Sequence, residues 1–131
     1  METTSGFSDR ISFQQADWTA VPAKPGVYVI FDGDELVYVG MAGRNGQGSL
    51  RNRLHDHASG QIVNMFAQYL YLARVQFLSK ERIVHPREAK AACKKYIRER
   101  CSFEYRVTTD ARDARLLESR LKLELKPALN P

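Results

Sequence analysis

The stretch that most constrains the fold is GVYVIFDGDELVYVG, residues 26 to 40. Both of its ends are rich in β-branched and aromatic residues, which favour buried strands. The sequence DGD at residues 32 to 34 separates the two ends and supplies residue types that favour a turn. The stretch therefore predicts a β-hairpin that carries Tyr28 on its first strand and Tyr38 on its second.

The length of the hairpin loop determines whether the two tyrosines share a face of the sheet. Side chains alternate between faces along a strand, and directly paired residues point to the same face. A loop with an odd number of residues around Gly33 would put Tyr28 and Tyr38 on one face, whereas a loop of two or four residues would separate them. We predict an odd loop, because a shared face would bring both phenols to one site.

A glycine-rich loop and a short helix follow the hairpin. Residues 40 to 48 hold four of the eight glycines, too many for a strand or a helix. Ser49 is a favoured N-cap residue, and the apolar spacing after it predicts a helix to about Ala58. At 100° per residue, Arg53 and His57 fall together at one edge of the apolar stripe of this helix. The sequence thus places an arginine and a histidine side by side after the hairpin.

The later part of the chain predicts two more helices and a third strand. Pro86 fits the first turn of a helix whose basic face includes Lys94 and Lys95. Residues 102 to 108 alternate apolar and polar side chains, which indicates a half-buried strand. Asp110 is suited to cap a last helix. Together with the hairpin, these elements predict one domain in which a sheet and helices share a core.

Two other segments give less definite signals. Residues 61 to 78 are rich in apolar side chains and could form a helix that passes into a strand. Residues 1 to 21 carry little pattern, and we interpret them as an N-terminal extension that docks through Trp18. The folded domain is then expected to span residues 22 to 131.

The composition excludes some classes of protein. The 131 residues are 44% hydrophobic and 27% charged, which is ordinary for one globular domain. No apolar run approaches the roughly 20 residues of a membrane span, and the N-terminal sequence METTSGFSDR does not resemble a signal peptide. We therefore expect a cytoplasmic protein with no membrane partner. The net charge of +5 favours a phosphate-rich partner.

The candidate site residues match the needs of phosphodiester hydrolysis. An arginine binds phosphate through a planar pair of donors, and a tyrosine can act as a base if nearby positive charge lowers its pKa. A carboxylate can hold a divalent metal. On the last helix, Glu118 and Glu124 both border the apolar stripe, and periodicity does not choose between them. Each residue also has an ordinary structural interpretation, as packing tyrosines or as solvated charges.

The ordered motifs resemble those of the GIY-YIG nuclease superfamily. They are GVY at residues 26 to 28, YVG at 38 to 40, R-x3-H from Arg53 to His57, and a glutamate followed by KPALN near the end of the chain. The resemblance covers residues 22 to 131. It implies an α+β fold with a small three-stranded antiparallel sheet flanked by helices, and an endonuclease that uses one divalent metal, Mg²⁺ or Mn²⁺, to hydrolyse one strand of DNA.

The resemblance also implies roles for individual residues. Gly26 and Gly40 would allow close backbone packing. The six candidate catalytic residues are Tyr28 as the base, Tyr38 as the group that positions water or phosphate, Arg53 as the phosphate ligand, His57 as an orienting or proton-relaying group, Glu118 as the metal ligand, and Asn130 as a brace.

One departure from the family pattern affects substrate binding. Many members have a lysine directly after the YIG motif, where this chain has Met41. Phosphate affinity would then come from other residues, and the substrate-binding candidates are Gly40, Arg44, Arg51, Lys94 and Lys95. Because the nuclease domain fills most of the chain, sequence or structure specificity would come from the basic helix, a protein partner or self-association.

Two other functions fit the same sequence. A nucleic-acid-binding module that has lost catalysis would keep the basic surface, consistent with the missing lysine at Met41. A protein-interaction domain would keep only the fold. Salt-sensitive DNA binding that does not depend on Glu118 would favour the first, and the absence of any nucleic-acid affinity would favour the second.

Overall fold

The computed structural model describes residues 6–43, 48–60, 64–78 and 85–130. These residues form a mixed α+β fold with an antiparallel sheet between layers of helices. The strands are β1 (Ile11–Ser12), β2 (Gly26–Asp32), β3 (Glu35–Ala42) and β4 (Cys101–Val107), in the spatial order β1-β4-β2-β3. The helices are α1 (Leu50–Ala58), α2 (Met65–Ala73), α3 (Pro86–Arg100) and α4 (Ala111–Leu125).

The hairpin forms as predicted, but its loop has two residues and not an odd number. Asp32 pairs with Glu35, so the loop contains Gly33 and one further residue. The prediction of an odd loop was therefore wrong. Gly33 has a positive φ of 60°, a conformation that glycine adopts without steric cost.

A β-bulge nevertheless brings both tyrosines to the same face. Ile30 pairs with Tyr38, whereas the next residue of β2 pairs with Leu36, so Val37 is an extra residue in β3. This extra residue reverses the alternation along β3 relative to β2. Tyr28 and Tyr38 consequently point into the same buried cluster. The shared face was predicted, but the bulge produces it and the loop does not.

The α+β fold with an antiparallel sheet is confirmed, and the sheet has four strands where three were expected. The additional strand, β1, pairs its Ile11 with Phe103 of β4. The next residues continue this attachment, since Phe13 is buried and its ring centroid lies 4.8 Å from that of Phe103. A strand of two residues is too short for a period of two to be recognised in the sequence. Trp18 stacks on Phe103 at 5.8 Å.

The sheet buries a different cluster on each face. Helices α1, α2 and α3 cover the face that carries Tyr28, Ile30 and Tyr38. Helix α4 covers the opposite face, where its Ala114 and Leu121 pack on the alternate residues of β2 and β3. We name these the tyrosine face and the aliphatic face. The aliphatic face includes Val27, Val29, Phe31, Val39 and Met41.

The helix boundaries follow the predicted capping residues. Ser49 accepts a hydrogen bond from the backbone N–H of Asn52 at the start of α1. Asp110 does the same for Asp113 in α4, and Pro86 is the first residue of α3. These contacts satisfy N–H groups that a helix start would otherwise leave unpaired.

The apolar segment after α1 forms helix α2 and a short 3₁₀ turn, Val75–Phe77, over its described residues 64–78. The expected passage into a strand was wrong for these residues. Their apolar side chains do not all face the core, since Leu72 and Phe77 are 59% and 73% exposed. No helix among the described residues is long and apolar enough to cross a membrane.

Candidate active site

A cleft of about 670 Å³ lies along β3 and gathers most of the predicted site residues. Its walls come from β2, β3, the start of α1, helix α4 and the C-terminal segment. Five of the six candidate catalytic residues line it, namely Tyr28, Tyr38, Arg53, Glu118 and Asn130. Met41 and Lys122 line it as well. His57, the sixth candidate, lies behind this wall in contact with Tyr28.

Tyr28 and His57 form a buried hydrogen-bonded pair. The Tyr28 hydroxyl lies 2.5 Å from Nε2 of His57, and the two side chains are 0% and 1% exposed. On the other side of the imidazole ring, Nδ1 lies 2.9 Å from Oδ1 of Asn64. The three side chains therefore form a continuous chain of hydrogen bonds from the cleft wall to the start of α2.

Burial keeps both members of this pair uncharged. It raises the pKa of the Tyr28 phenol above its usual 10, while the positive charge of Arg53 acts in the opposite direction. Burial also lowers the pKa of His57 to about 3, and Arg53 lowers this pKa further, whereas the hydrogen bond with Asn64 raises it. Near neutral pH the pair is thus a neutral phenol and a neutral imidazole.

Tyr38 lies next to this pair and closer to solvent. Its ring centroid is 6.4 Å from that of Tyr28 and 5.8 Å from that of His57. Its side chain is 8% exposed. Burial raises the pKa of Tyr38, and the positive charge of Arg53 opposes this shift. Arg53 therefore favours the ionised form of both phenols.

Gly40 provides the space that Tyr28 occupies. Gly40 pairs with Tyr28 across the hairpin, and both lie on the tyrosine face. A Cβ atom at position 40 would overlap the Tyr28 hydroxyl oxygen and its ring carbons. The glycine of the YVG motif thus has a specific steric purpose, which is to let the phenol lie flat against β3.

Glu118 is the carboxylate that faces the cleft. It is 8% exposed and lines the cleft wall, and its Oε1 lies 3.7 Å from Nζ of Lys122. Glu124 is different, because its side chain is 58% exposed and pairs with Arg120. The structure therefore distinguishes two glutamates that periodicity did not separate.

The donors around Glu118 suit a hard cation with few protein ligands. Among the described residues, no three or more histidine, cysteine, aspartate or glutamate side chains cluster closely enough to hold a metal. Mg²⁺ commonly uses one or two carboxylates and keeps several waters. A single buried carboxylate that opens on a cleft fits this mode of binding.

Asn130 holds the outer edge of β3 beside the cleft. Its Oδ1 accepts a hydrogen bond from Val39 N at 2.7 Å, and its Nδ2 donates to Val39 O at 2.9 Å. The neighbouring Leu129 N donates to Val37 O at 2.8 Å. The C-terminal segment thereby pairs backbone groups of Val37 and Val39 on the outer edge of β3.

Some of the predicted substrate-binding residues lie elsewhere. Arg51 donates to the backbone carbonyls of Val21 and Thr19, so its guanidinium ties α1 to the N-terminal segment and does not enter the cleft. Lys94 and Lys95 line a separate groove on α3. Gly40 lines the cleft. Arg44 is outside the described residues.

Two residues of the site were not identified from sequence. Asn64 binds His57, and its sequence signal was that an asparagine just before an apolar run is a favoured N-cap. Lys122 follows Glu118 by four residues, a spacing that brings side chains together on a helix. Both signals were present, but neither by itself indicates a functional residue.

Comparisons with known proteins give a similarity in structure but none in sequence. No protein-family model matches the sequence, and no curated protein shows a significant match. Among solved structures, the chain is similar to the GIY-YIG N-terminal endonuclease domain of UvrC from Thermotoga maritima, which is bound to its catalytic divalent cation, magnesium. The match covers 87% of this chain and 91% of that one, with a TM-score of 0.48 and 22% sequence identity. The case for a function therefore depends on the geometry of the cleft and on the motifs.

Proposed function

We propose that this protein is a metal-dependent endonuclease that hydrolyses DNA phosphodiester bonds and cuts one strand at each site. The observation that carries the proposal is the single cleft in which Tyr28, Tyr38, Arg53 and Glu118 meet. These side chains supply a base, a second phenol, a phosphate ligand and a metal ligand. Metal-dependent hydrolysis of a phosphodiester uses such a set, because it needs a base for water, positive charge on the phosphate and a carboxylate for the metal.

Positive charge in the cleft would bind the scissile phosphate. Arg53 lines the cleft and can donate two parallel hydrogen bonds to phosphate oxygens. Lys122 lines the same cleft, as Met41 does, and supplies a second positive charge there. This lysine offers the phosphate affinity that the absence of a lysine after the YVG motif would otherwise remove.

The tyrosine and histidine pair would activate the attacking water. In this step a water O–H bond breaks, its proton passes to the Tyr28 oxygen, and the phenolic proton passes to Nε2 of His57. The hydroxide attacks phosphorus, the bond to the leaving oxygen breaks, and that oxygen takes a proton from solvent. His57 then returns its proton to the Tyr28 oxygen as Tyr28 releases its own proton to solvent, which restores the neutral pair. Arg53 stabilises the charge that develops on the phosphate.

Glu118 would hold the divalent cation, Mg²⁺ or Mn²⁺, with Lys122 as its neighbour. When bound, the cation would supply Lewis-acid stabilisation of charge on the phosphate. In its absence, Lys122 partly neutralises the Glu118 carboxylate. The proposed partner is DNA, and we expect the protein to act in the cytoplasm, with specificity supplied by a protein partner or by self-association.

The experiment that tests this function is a cleavage assay on plasmid, branched and single-stranded DNA, with and without Mg²⁺ or Mn²⁺. We expect nicked circles only when metal is present. Glu118→Ala and Arg53→Ala should each reduce cleavage by about 10²-fold or more. Glu124→Ala is the matched control, because it removes an exposed glutamate from the same helix and should cut at the wild-type rate.

The other outcomes of this assay are equally definite. If wild-type protein leaves every DNA form intact with either metal, the proposed function is wrong. Salt-sensitive DNA binding that survives Glu118→Ala, without cleavage, would instead identify a binding module.

A further inference from the structure

The start of helix α2 is linked to the buried Tyr28 by hydrogen bonds that pass through His57. Asn64 is the N-cap residue of α2, and its Oδ1 accepts a hydrogen bond from the backbone N–H of Ala67 at 3.2 Å. The same oxygen lies 2.9 Å from Nδ1 of His57. One side-chain atom therefore serves both a helix terminus and the imidazole.

The helix cap determines the chemical identity of this amide atom. A backbone N–H can only donate a hydrogen bond, so the Asn64 atom that faces Ala67 must be the oxygen and not the NH₂ group. Since an amide oxygen can only accept, Nδ1 of His57 must carry a hydrogen. The cap thus fixes the orientation of the amide, and the amide fixes the proton on the near side of the ring.

The tautomer of His57 then determines which way the tyrosine proton points. A neutral imidazole carries one N–H, so a hydrogen on Nδ1 leaves Nε2 with a lone pair. Tyr28 must donate its hydroxyl hydrogen to that lone pair, across 2.5 Å. In the opposite tautomer Nε2–H would donate to the phenol oxygen, and the ring nitrogen that faces Tyr28 would have no lone pair to receive the tyrosine proton.

We propose that Asn64 is a positioning residue that fixes the direction of proton transfer from Tyr28 to His57. The proposal rests on the proposed function, in which Tyr28 takes a proton from water. Asn64 does not contact substrate and acts only through His57. When His57 receives the tyrosine proton, the Asn64 oxygen also stabilises the resulting imidazolium through its existing hydrogen bond.

None of the other groups around the His57 ring replaces Asn64 as the hydrogen-bond acceptor for Nδ1–H. The aromatic neighbours of His57 are Tyr28, Tyr38 and Phe66, and the last presents its ring in an edge-to-face arrangement at 5.4 Å. Arg53, on the same helix, is the charged group that influences His57, and it can only donate hydrogen bonds. Among these groups, only Asn64 provides an acceptor for Nδ1–H.

The first test measures the tautomer directly and needs no enzymatic activity. In protein labelled with ¹⁵N-histidine, the ring nitrogen shifts of His57 should show hydrogen on Nδ1 and a bare Nε2. The His57 signals are assigned by their loss in His57→Gln. In Asn64→Ser, which keeps a good N-cap but is too short to reach the ring, the shifts should move toward the other tautomer or a mixture. Hydrogen on Nε2 in the wild-type protein would overturn the proposal.

The second test compares rates of DNA cleavage. Asn64→Ser should lower kcat by about 10- to 100-fold with KM within about twofold, the scale typical for loss of a group that orients a functional histidine. Asn64→Asp retains both the cap and the acceptor, so it should recover most of the lost kcat and keep the Nδ1–H tautomer. Asn52→Ser makes the same change at an exposed position of α1 and should behave as wild type.

The outcomes separate this inference from the proposed function. An unchanged kcat and an unchanged tautomer in Asn64→Ser would remove the positioning role even if the wild-type protein cuts DNA. Conversely, a wild-type protein that shows the Nδ1–H tautomer and cuts no DNA would refute the nuclease function while leaving the hydrogen-bond assignment correct.

Discussion

The two faces of the sheet are built from the same strands but differ in their chemistry. Along β2, Val27, Val29 and Phe31 point to the aliphatic face, where α4 covers them with apolar side chains. Between them, Tyr28 and Ile30 point to the tyrosine face. Both faces are buried, but the tyrosine face contains the hydrogen-bonded chain of Tyr28, His57 and Asn64, whereas the aliphatic face carries an ion pair between Glu104 and Arg10 at its margin.

Within β2, the residues on the aliphatic face contribute to stability, whereas Tyr28 on the tyrosine face contributes to the proposed function. On the aliphatic face, burial of apolar surface is the main contribution, at about 25 cal/mol for each Å² removed from water. On the tyrosine face, a buried phenol and imidazole must be paired, because an unpaired buried polar group costs about 1 to 3 kcal/mol. Glu118 joins the two regions, since it belongs to the helix that covers the aliphatic face but lines the cleft.

The largest expected effect is on the rate of DNA cleavage. It should distinguish Tyr28 from Val29, which are adjacent in β2 but point to opposite faces. Tyr28→Phe removes the hydroxyl that donates to His57, and we expect it to reduce the rate of DNA cleavage by about 10²- to 10⁴-fold. Val29→Ala, its neighbour on the aliphatic face, should lower the free energy of unfolding by about 2 kcal/mol but leave the cleavage rate of the folded protein unchanged. Plasmid nicking and denaturant unfolding measure the two quantities. Equal losses of cleavage in both variants would contradict the division between faces.

A second effect concerns how stability depends on pH. The pKa of His57 is about 3 in the folded protein, below its value of 6.5 in an exposed side chain. As pH falls below 6.5, the unfolded chain binds a proton that folded His57 does not, so stability declines until the pH reaches the folded value. Between pH 7 and pH 4 this difference amounts to about 3 kcal/mol.

Urea unfolding at several pH values measures this dependence. His57→Gln lacks the titrating group, so its stability should decline less between pH 7 and pH 4 than that of the wild-type protein. His55→Gln provides the control, because His55 is an exposed histidine on the same helix, α1. If wild type and His57→Gln decline in parallel, His57 is not buried in the neutral form.

The smallest expected effect is at the edge of β3. Asn130→Ala removes both hydrogen bonds to Val39, and we expect a loss of about 1 to 3 kcal/mol in unfolding free energy. Because Val39 lies between Tyr38 and Gly40, a partial loss of cleavage should accompany it. Asn52→Ala, at an exposed position, should change neither quantity. A stable variant with unaltered cleavage would show that the brace is dispensable.

Much of the fold could be predicted because its signals are local. The hairpin follows from its composition, and the helix starts follow from Ser49, Pro86 and Asp110, each of which acts within one turn of its own position. Strand β1 could not be predicted, because two residues carry no period and the pairing partner is about ninety residues away.

The site was predicted less completely, for a related reason. The motif residues came from the sequence, but the bulge at Val37 depends on how two strands align and has no local signal. The choice of Glu118 over Glu124 depends on which side of α4 faces the cleft. The contact of Asn64 with His57 depends on how α2 packs beside α1. Each of these facts is a property of packing between elements.

The measurement that tests the tyrosine face most directly is a double-mutant cycle for metal-dependent plasmid nicking. It uses wild type, Tyr28→Phe, His57→Gln and the variant with both changes. If Tyr28 and His57 transfer one proton in a single step, the double variant should be no slower than the slower single variant, because either change alone stops the transfer. Losses that multiply in the double variant would show that the two residues act independently and would contradict this account.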